Sequence, residues 1–251
     1  MRETARILTL IAAAASAVCA AQISSTTLVT NHGARVAESP HTAEYTITAV
    51  QTLANGTTIT RESSEKIAVD AQGRRMTSST MTHPAGQQDP ITFVHIYDPA
   101  ARTNTNWSSQ GKRVTVQSMP EPGQRQTCGT TVEPEARRSD IPREKPVTEE
   151  LGTTSIQGIE AKGTRITRTI PAGAEGNDAP LVVTIERWTA TAPNLRHLTV
   201  REINDDPRNG KTTRELTNFV QGDPDPSLFE PPQGYEIVKE EPPQMTCSSE
   251  R

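Results

Sequence analysis

The reactive side chains of this chain are few, and their spacing suits no familiar catalytic or metal centre. Its five histidines, His32, His41, His83, His95 and His197, share no i+2 or i+4 spacing with one another or with a cysteine, so no metal is expected. His95 falls beside Phe93 and Tyr97 in an apolar run, where a hydrogen-bonded structural imidazole is the expectation. No Gly-x-Ser-x-Gly elbow or phosphate-cradling glycine loop occurs, and the many serines and threonines lack an evident base, so no cofactor is expected either. The paired acids Glu149-Glu150 and Asp205-Asp206 are sequence neighbours. On a strand they point to opposite faces and make poor acid/base partners. These features point away from an enzyme.

Two kinds of chemistry are left: thiol pairing and aromatic contact. Cys128 and Cys247 form an even pair in an exported chain, which suits a disulfide, with two free thiols as the alternative. The aromatic residues are Tyr45, Phe93, Tyr97, Trp107, Trp188, Phe219, Phe229 and Tyr235. Four of them, Tyr45, Phe93, Trp107 and Trp188, are the candidate contacts for an apolar ligand, and plain core is the alternative for each. The sequons Asn55-Gly56-Thr57 and Asn106-Trp107-Ser108 read as chance in a Thr-rich chain.

The expectation of export comes from residues 1–21. Arg2 and Arg6 precede an apolar run from Ile7 to Val18, and Cys19-Ala20-Ala21 supplies small residues before a cut near Gln22. That is a secretory signal peptide and too short for a spanning helix. Cys19 would be the acylated residue of a lipoprotein signal, but Val18 stands where a small residue normally precedes it, so ordinary cleavage is expected. A periplasmic or extracellular location follows, with no membrane span after cleavage. Losing Arg2, Arg6 and Glu3 moves the formal charge from −4 to −5, and no basic cluster is present to attract nucleic acid.

The elements that must position these residues are strands. Residues 22–42 read as a flexible leader, with order beginning near Ala43. Tyr45, Ile47 and Ala49 alternate with polar positions, and Ala54-Asn55-Gly56 supplies a hairpin turn before Thr57 to Arg61. Ile67 and Val69 lead through Asp70-Ala71-Gln72-Gly73 to a strand from Arg74 to Met81. Ile91 to Tyr97, Arg102 to Trp107 and Arg113 to Gln117 extend this N-terminal meander over residues 43–118. Residues 119–146 hold Pro120, Pro122, Pro134, Pro142 and Pro146 with almost no large apolar side chain, and read as a disordered linker. The C-terminal half, residues 147–240, contains strands at Thr148 to Gln157, Ala161 to Ile170, Leu181 to Thr189, Leu195 to Asn204 and Lys211 to Val220. Leu228 and Phe229, set between prolines, are expected to plug the sheet against Trp188 and Phe219. Residues 241–251 read as a flexible tail.

Several runs of this half carry a resemblance: Glu186-Arg187-Trp188, Asp206-Pro207-Arg208, Leu216-Thr217-Asn218-Phe219, Pro224-Asp225-Pro226-Ser227-Leu228-Phe229 and Pro232-Gln233-Gly234-Tyr235. Over roughly Val147 to Val238 the chain resembles secreted bacterial proteins of unknown role. Those proteins are similar in turn to the periplasmic outer-membrane lipoprotein carrier type. The resemblance implies an all-β fold, a curved antiparallel sheet or unclosed barrel built from successive hairpins, with helices over its concave side. No amphipathic helix that could serve as such a lid is legible here.

The expectation is therefore an exported, non-enzymatic β-sheet protein of the bacterial envelope that binds a lipid or acyl chain on a concave face. The alternative is a filled scaffold or sensor that interacts with another envelope protein.

Overall fold

The computed structural model describes residues 39–82, 89–120, 144–195 and 198–241. The expected signal peptide, Cys19, His32, His83, His197, Cys128, Cys247, most of the leader and linker, and all but Glu241 of the tail lie outside those residues.

Twelve strands form one sheet: β1 (His41–Thr52), β2 (Thr58–Val69), β3 (Arg75–Met81), β4 (Ile91–Asp98), β5 (Thr103–Ser108), β6 (Arg113–Ser118), β7 (Val147–Ile156), β8 (Ile159–Ile170), β9 (Leu181–Ala190), β10 (Thr199–Asp206), β11 (Gly210–Gln221) and β12 (Glu236–Glu240). Their order is β12-β6-β5-β4-β3-β2-β1-β11-β10-β9-β8-β7. The sheet does not close, because β12 and β7 are its two edges. Every pairing is antiparallel except that of β12 with β6, so the expected unclosed antiparallel sheet is what the chain builds.

Local chemistry explains the hairpins. Gln157 and Gly158 both have positive φ (52° and 75°), the pair of left-handed residues that a tight two-residue hairpin needs between β7 and β8. Gly210 opens β11 at φ 89°, and a Cβ there would meet the Val50 carbonyl oxygen at 2.3 Å. Only glycine lets β11 enter so close to β1. Three expectations need correction. The segment from Thr58 to Val69 is one twelve-residue strand, longer than the Thr57–Arg61 run expected. The strand expected from Leu195 starts at Thr199, because Pro193–Leu195 form a 3-10 turn whose Leu195 N–H bonds the Ala192 carbonyl at 2.9 Å. The third concerns Phe229 and is described next.

Register divides the side chains between two faces. Tyr45, Glu65, Ser79, Phe93 and Ser108 oppose one another across β1 to β5 and share a face. The residues beside them, Glu44, Lys66, Ser78, Val94 and Trp107, occupy the other. Each face carries a core. On the Tyr45 face, Ala43, Tyr45, Ile67, Val69 and Leu216 are buried together with Val200 and Leu198, and Leu195 packs against them. On the Trp107 face, Ala68, Met76 and Ile96 form a directly opposed row covered by Phe229, with Val94, Trp107 and Leu228 packed around it. Phe229 therefore plugs the sheet as expected but against Ala68, Met76 and Ile96. Trp188 and Phe219 belong to the other cluster. The reason is topological: the chain after β11 crosses to the β6 edge, over β2 to β4, instead of folding back over β9.

Candidate functional site

The Tyr45 face offers the more enclosed space. Tyr45 is buried, and the Arg214 guanidinium carbon stands 3.4 Å from the centre of its ring. Arg214 Nε donates to Glu65 Oε2 at 2.6 Å, which ties β11 to β2 across β1. Burial pushes the Tyr45 phenol above its ordinary pKa, and the neighbouring Arg214 charge opposes that shift. Beside the ring lies a cavity of about 40 Å³, lined among others by His41, Tyr45, Ile67, Arg75, Leu195 and Leu198. The buried His41 donates from Nδ1 to the Ser39 carbonyl at 2.7 Å, and its ring lies 5.6 Å from that of Phe219. One water needs roughly 10 to 15 Å³ of such space, so the cavity takes about three waters and no acyl chain.

A larger groove opens on the opposite face. It measures about 360 Å³ and is lined by Glu44, Thr46, Ser64, Lys66, Ser78, Thr80 and Thr217, with Tyr45 and Glu65 contributing at its floor. That volume falls within the range of small-molecule sites, roughly 300 to 1,000 Å³, but its lining is hydroxyl and charge instead of the apolar surface typical of them. Lys66 Nζ lies 3.2 Å from Glu44 Oε1, and Thr80 and Thr92 share a hydroxyl hydrogen bond at 2.9 Å.

The four aromatic candidates do not converge on one site, although Trp188 packs against the core cluster that holds Tyr45. Tyr45 and Phe93 share a face, yet Tyr45 is in the core while Phe93 is 48% exposed. Trp107 is on the other face, packed at the Phe229 cluster. Trp188 opposes Arg201 and lies over Gly163, where a Cβ would come within 2.7 Å of its ring. Its indole N–H donates to Glu186 Oε1 at 2.8 Å. That hydrogen bond, with the Arg165 guanidinium beside it, holds the Glu186 carboxyl below its usual pKa. Sequence reasoning did not single out Arg214, Glu65, His41 or Leu198. Arg214 and Glu65 are 149 residues apart, and nothing local signals that they meet.

Several other charges form cross-strand pairs. Glu149, Arg165 and Glu186 oppose one another across β7, β8 and β9, with Arg165 bonded to both acids at 3.0 Å. Arg187 pairs with Glu202 at 2.7 Å, and Arg201 with Glu215 at 2.6 Å. Asp206, one of the acids considered above, is buried and accepts from the backbone and guanidinium of Arg208, which holds its pKa below the ordinary value. Among the described residues, no group of three or more His, Cys, Asp and Glu is placed to hold a metal, and no helix is long and apolar enough to cross a membrane. The arrangement presents surfaces and grooves for contact, and these ion pairs hold neighbouring strands together.

No family model matches the sequence, and no curated protein matches it. Solved structures do. A LolA superfamily protein from Nitrosomonas europaea aligns at 9% identity and a TM-score of 0.32, covering 78% of this chain and 92% of its own. A DUF1329 family protein from Desulfovibrio piger aligns at 12% identity and a TM-score of 0.30, covering 77% and 90%. The lipoprotein LppX of Mycobacterium tuberculosis aligns at 18% identity and a TM-score of 0.29, covering 73% and 87%. Each alignment spans most of this chain and most of the other, at low sequence identity.

Proposed function

We propose that this is an exported, non-enzymatic sheet protein of the bacterial envelope that serves as an interaction scaffold for another envelope protein. The observation that carries this reading is the size of the space at Tyr45. At about 40 Å³, the cavity lined in part by Leu195 and Leu198 is too small for a lipid tail. The signal-like composition of residues 1–21 supports export, and the engagement of Arg165, Arg187 and Arg201 with glutamates of neighbouring strands supports a role without catalysis.

Phe93 favours a second reading. It projects from the Tyr45 face with Met81 also exposed, and Met81 directly opposes Ile91 one step along the same face. This shallow apolar strip would take an apolar ligand on the open sheet surface without any interior cavity. Native mass spectrometry of the protein isolated from its own host separates the two. A retained partner protein supports the scaffold, and a lipid-sized increment lost in Phe93→Asp supports the second reading. Isolation of the bare chain alone, with Phe93→Asp indistinguishable from it, overturns both.

A further inference from the structure

The strand beside β6 is not delivered by a hairpin. After β11, residues 222–235 leave the middle of the sheet, pass over the Trp107 face and set β12 down parallel to β6 at the far edge. The near part of this strap is firmly fastened. Gly222 N–H donates to the Pro40 carbonyl at 2.9 Å, Asp223 Oδ1 accepts the Ala71 N–H at 2.9 Å, and Phe229 is buried. The far part is not. Past Glu230 come Pro231, Pro232 and Gly234 at φ 80°, and the Tyr235 hydroxyl reaches the Ser108 carbonyl at 3.5 Å, the long limit of a hydrogen bond.

β12 itself is five residues long and parallel, the less stable kind of pairing. Ile237 is 58% exposed and only Val238 is half-buried, so little apolar surface holds the strand. The Arg113–Glu240 pair spans 3.9 Å between exposed groups, where solvent screens it. What fits the β6 edge is nevertheless defined, since Glu236 opposes Arg113 and the register runs to Glu240 opposite Gln117.

We infer that β12 is exchanged between two copies of this chain, the β12 of one lying along the β6 of the other, with Pro231–Gly234 as the hinge. A second copy brings the same strand in the same register, so exchange forfeits no contact made within one chain. Consecutive prolines favour an extended hinge, the conformation a strand needs to span to a second copy. Closure within one chain competes through its effective concentration, on the order of millimolar for a short link, so exchange is concentration-dependent.

The native lysines allow a test without substitution. Glu236 N–H donates to the Lys112 carbonyl at 2.7 Å and Lys239 opposes Val116, so Lys112 and Lys239 lie within one amine-reactive cross-link. Equal amounts of nitrogen-14 and nitrogen-15 chains, processed as exported, are incubated together, cross-linked and digested. Mixed-isotope Lys112–Lys239 pairs should increase at least tenfold between about 10 µM and about 1 mM protein, in step with a dimer seen by light scattering. Same-isotope pairs alone at the higher concentration overturn the inference. A dimer whose Lys112–Lys239 links are all same-isotope is a side-by-side association and overturns it equally.

Discussion

Arg214 covers the Tyr45 ring at 3.4 Å and in the same pose donates to Glu65, so one side chain roofs a buried phenol and pairs a carboxylate two strands away. Arg214 and Glu65 are both mostly sheltered from solvent. Arg214→Ala should cost about 1 to 3 kcal/mol in chemical denaturation, the penalty for stranding a sheltered acceptor. The double variant with Glu65→Ala should cost less than the sum of the two singles. Strict additivity would show that the contact contributes nothing to holding β11 against β2.

Phe229→Ala should cost about 3 to 5 kcal/mol, because the ring is buried and covers Ala68, Met76 and Ile96. Arg74, whose guanidinium carbon lies 4.5 Å from the ring centre, would lose its apolar partner as well. An unchanged urea midpoint would show that the strap rests on the sheet without sealing it.

Gly163→Ala tests the Trp188 seat. The new methyl would fall within 2.7 Å of the indole, and the alternative to moving the ring is to shift β8. Overpacking of this kind costs about 1 to 3 kcal/mol. Tryptophan emission should also move to the red as the indole loses its place over the strand and its bond to Glu186. Emission and stability both matching the parent would mean that the ring has room that the geometry denies it.

Asp206 sets an acid-side dependence. Its pKa in the folded chain is lowered by Arg208, so the folded state binds its proton less readily than the unfolded chain does. The stability it contributes is fully present above the ordinary carboxylate value of 3.8 and is lost as pH falls through the lower folded value. Asp206→Asn should therefore flatten the fall in stability below about pH 4 while leaving the slope near neutrality unchanged. Equal acid slopes for parent and variant would remove Asp206 from the balance.

The strands were legible because alternation survives in them. Tyr45, Ile47 and Ala49, or Leu181, Val183 and Ile185, repeat every second residue whatever they pack against. The turns were legible where glycine had to supply a positive φ, as at Gly56 and Gly73. The partner of each core was not. Nothing local tells Phe229 to cross toward Met76 instead of Trp188, since that depends on where the chain goes after β11. The aromatic candidates show the same limit: Phe93 and Trp107 look alike in sequence, and parity alone sends one to solvent and the other to a core on the opposite face.

The pairing of β1 with β11 also imposes a timetable. His41 meets Gln221 and Val50 meets Lys211, so the first described strand stays bare along one edge until almost the whole chain is available. Contacts of such sequence separation slow folding, and an unpaired strand edge is where chains stick to one another. A chain threaded through a membrane from its N-terminal end would deliver β1 to β6 first, and that meander would wait with its β1 edge open. The step that fills that edge is the arrival of Gly210 to Gln221. Until then, the open β1 edge is the place where the chain is most prone to pair with another copy.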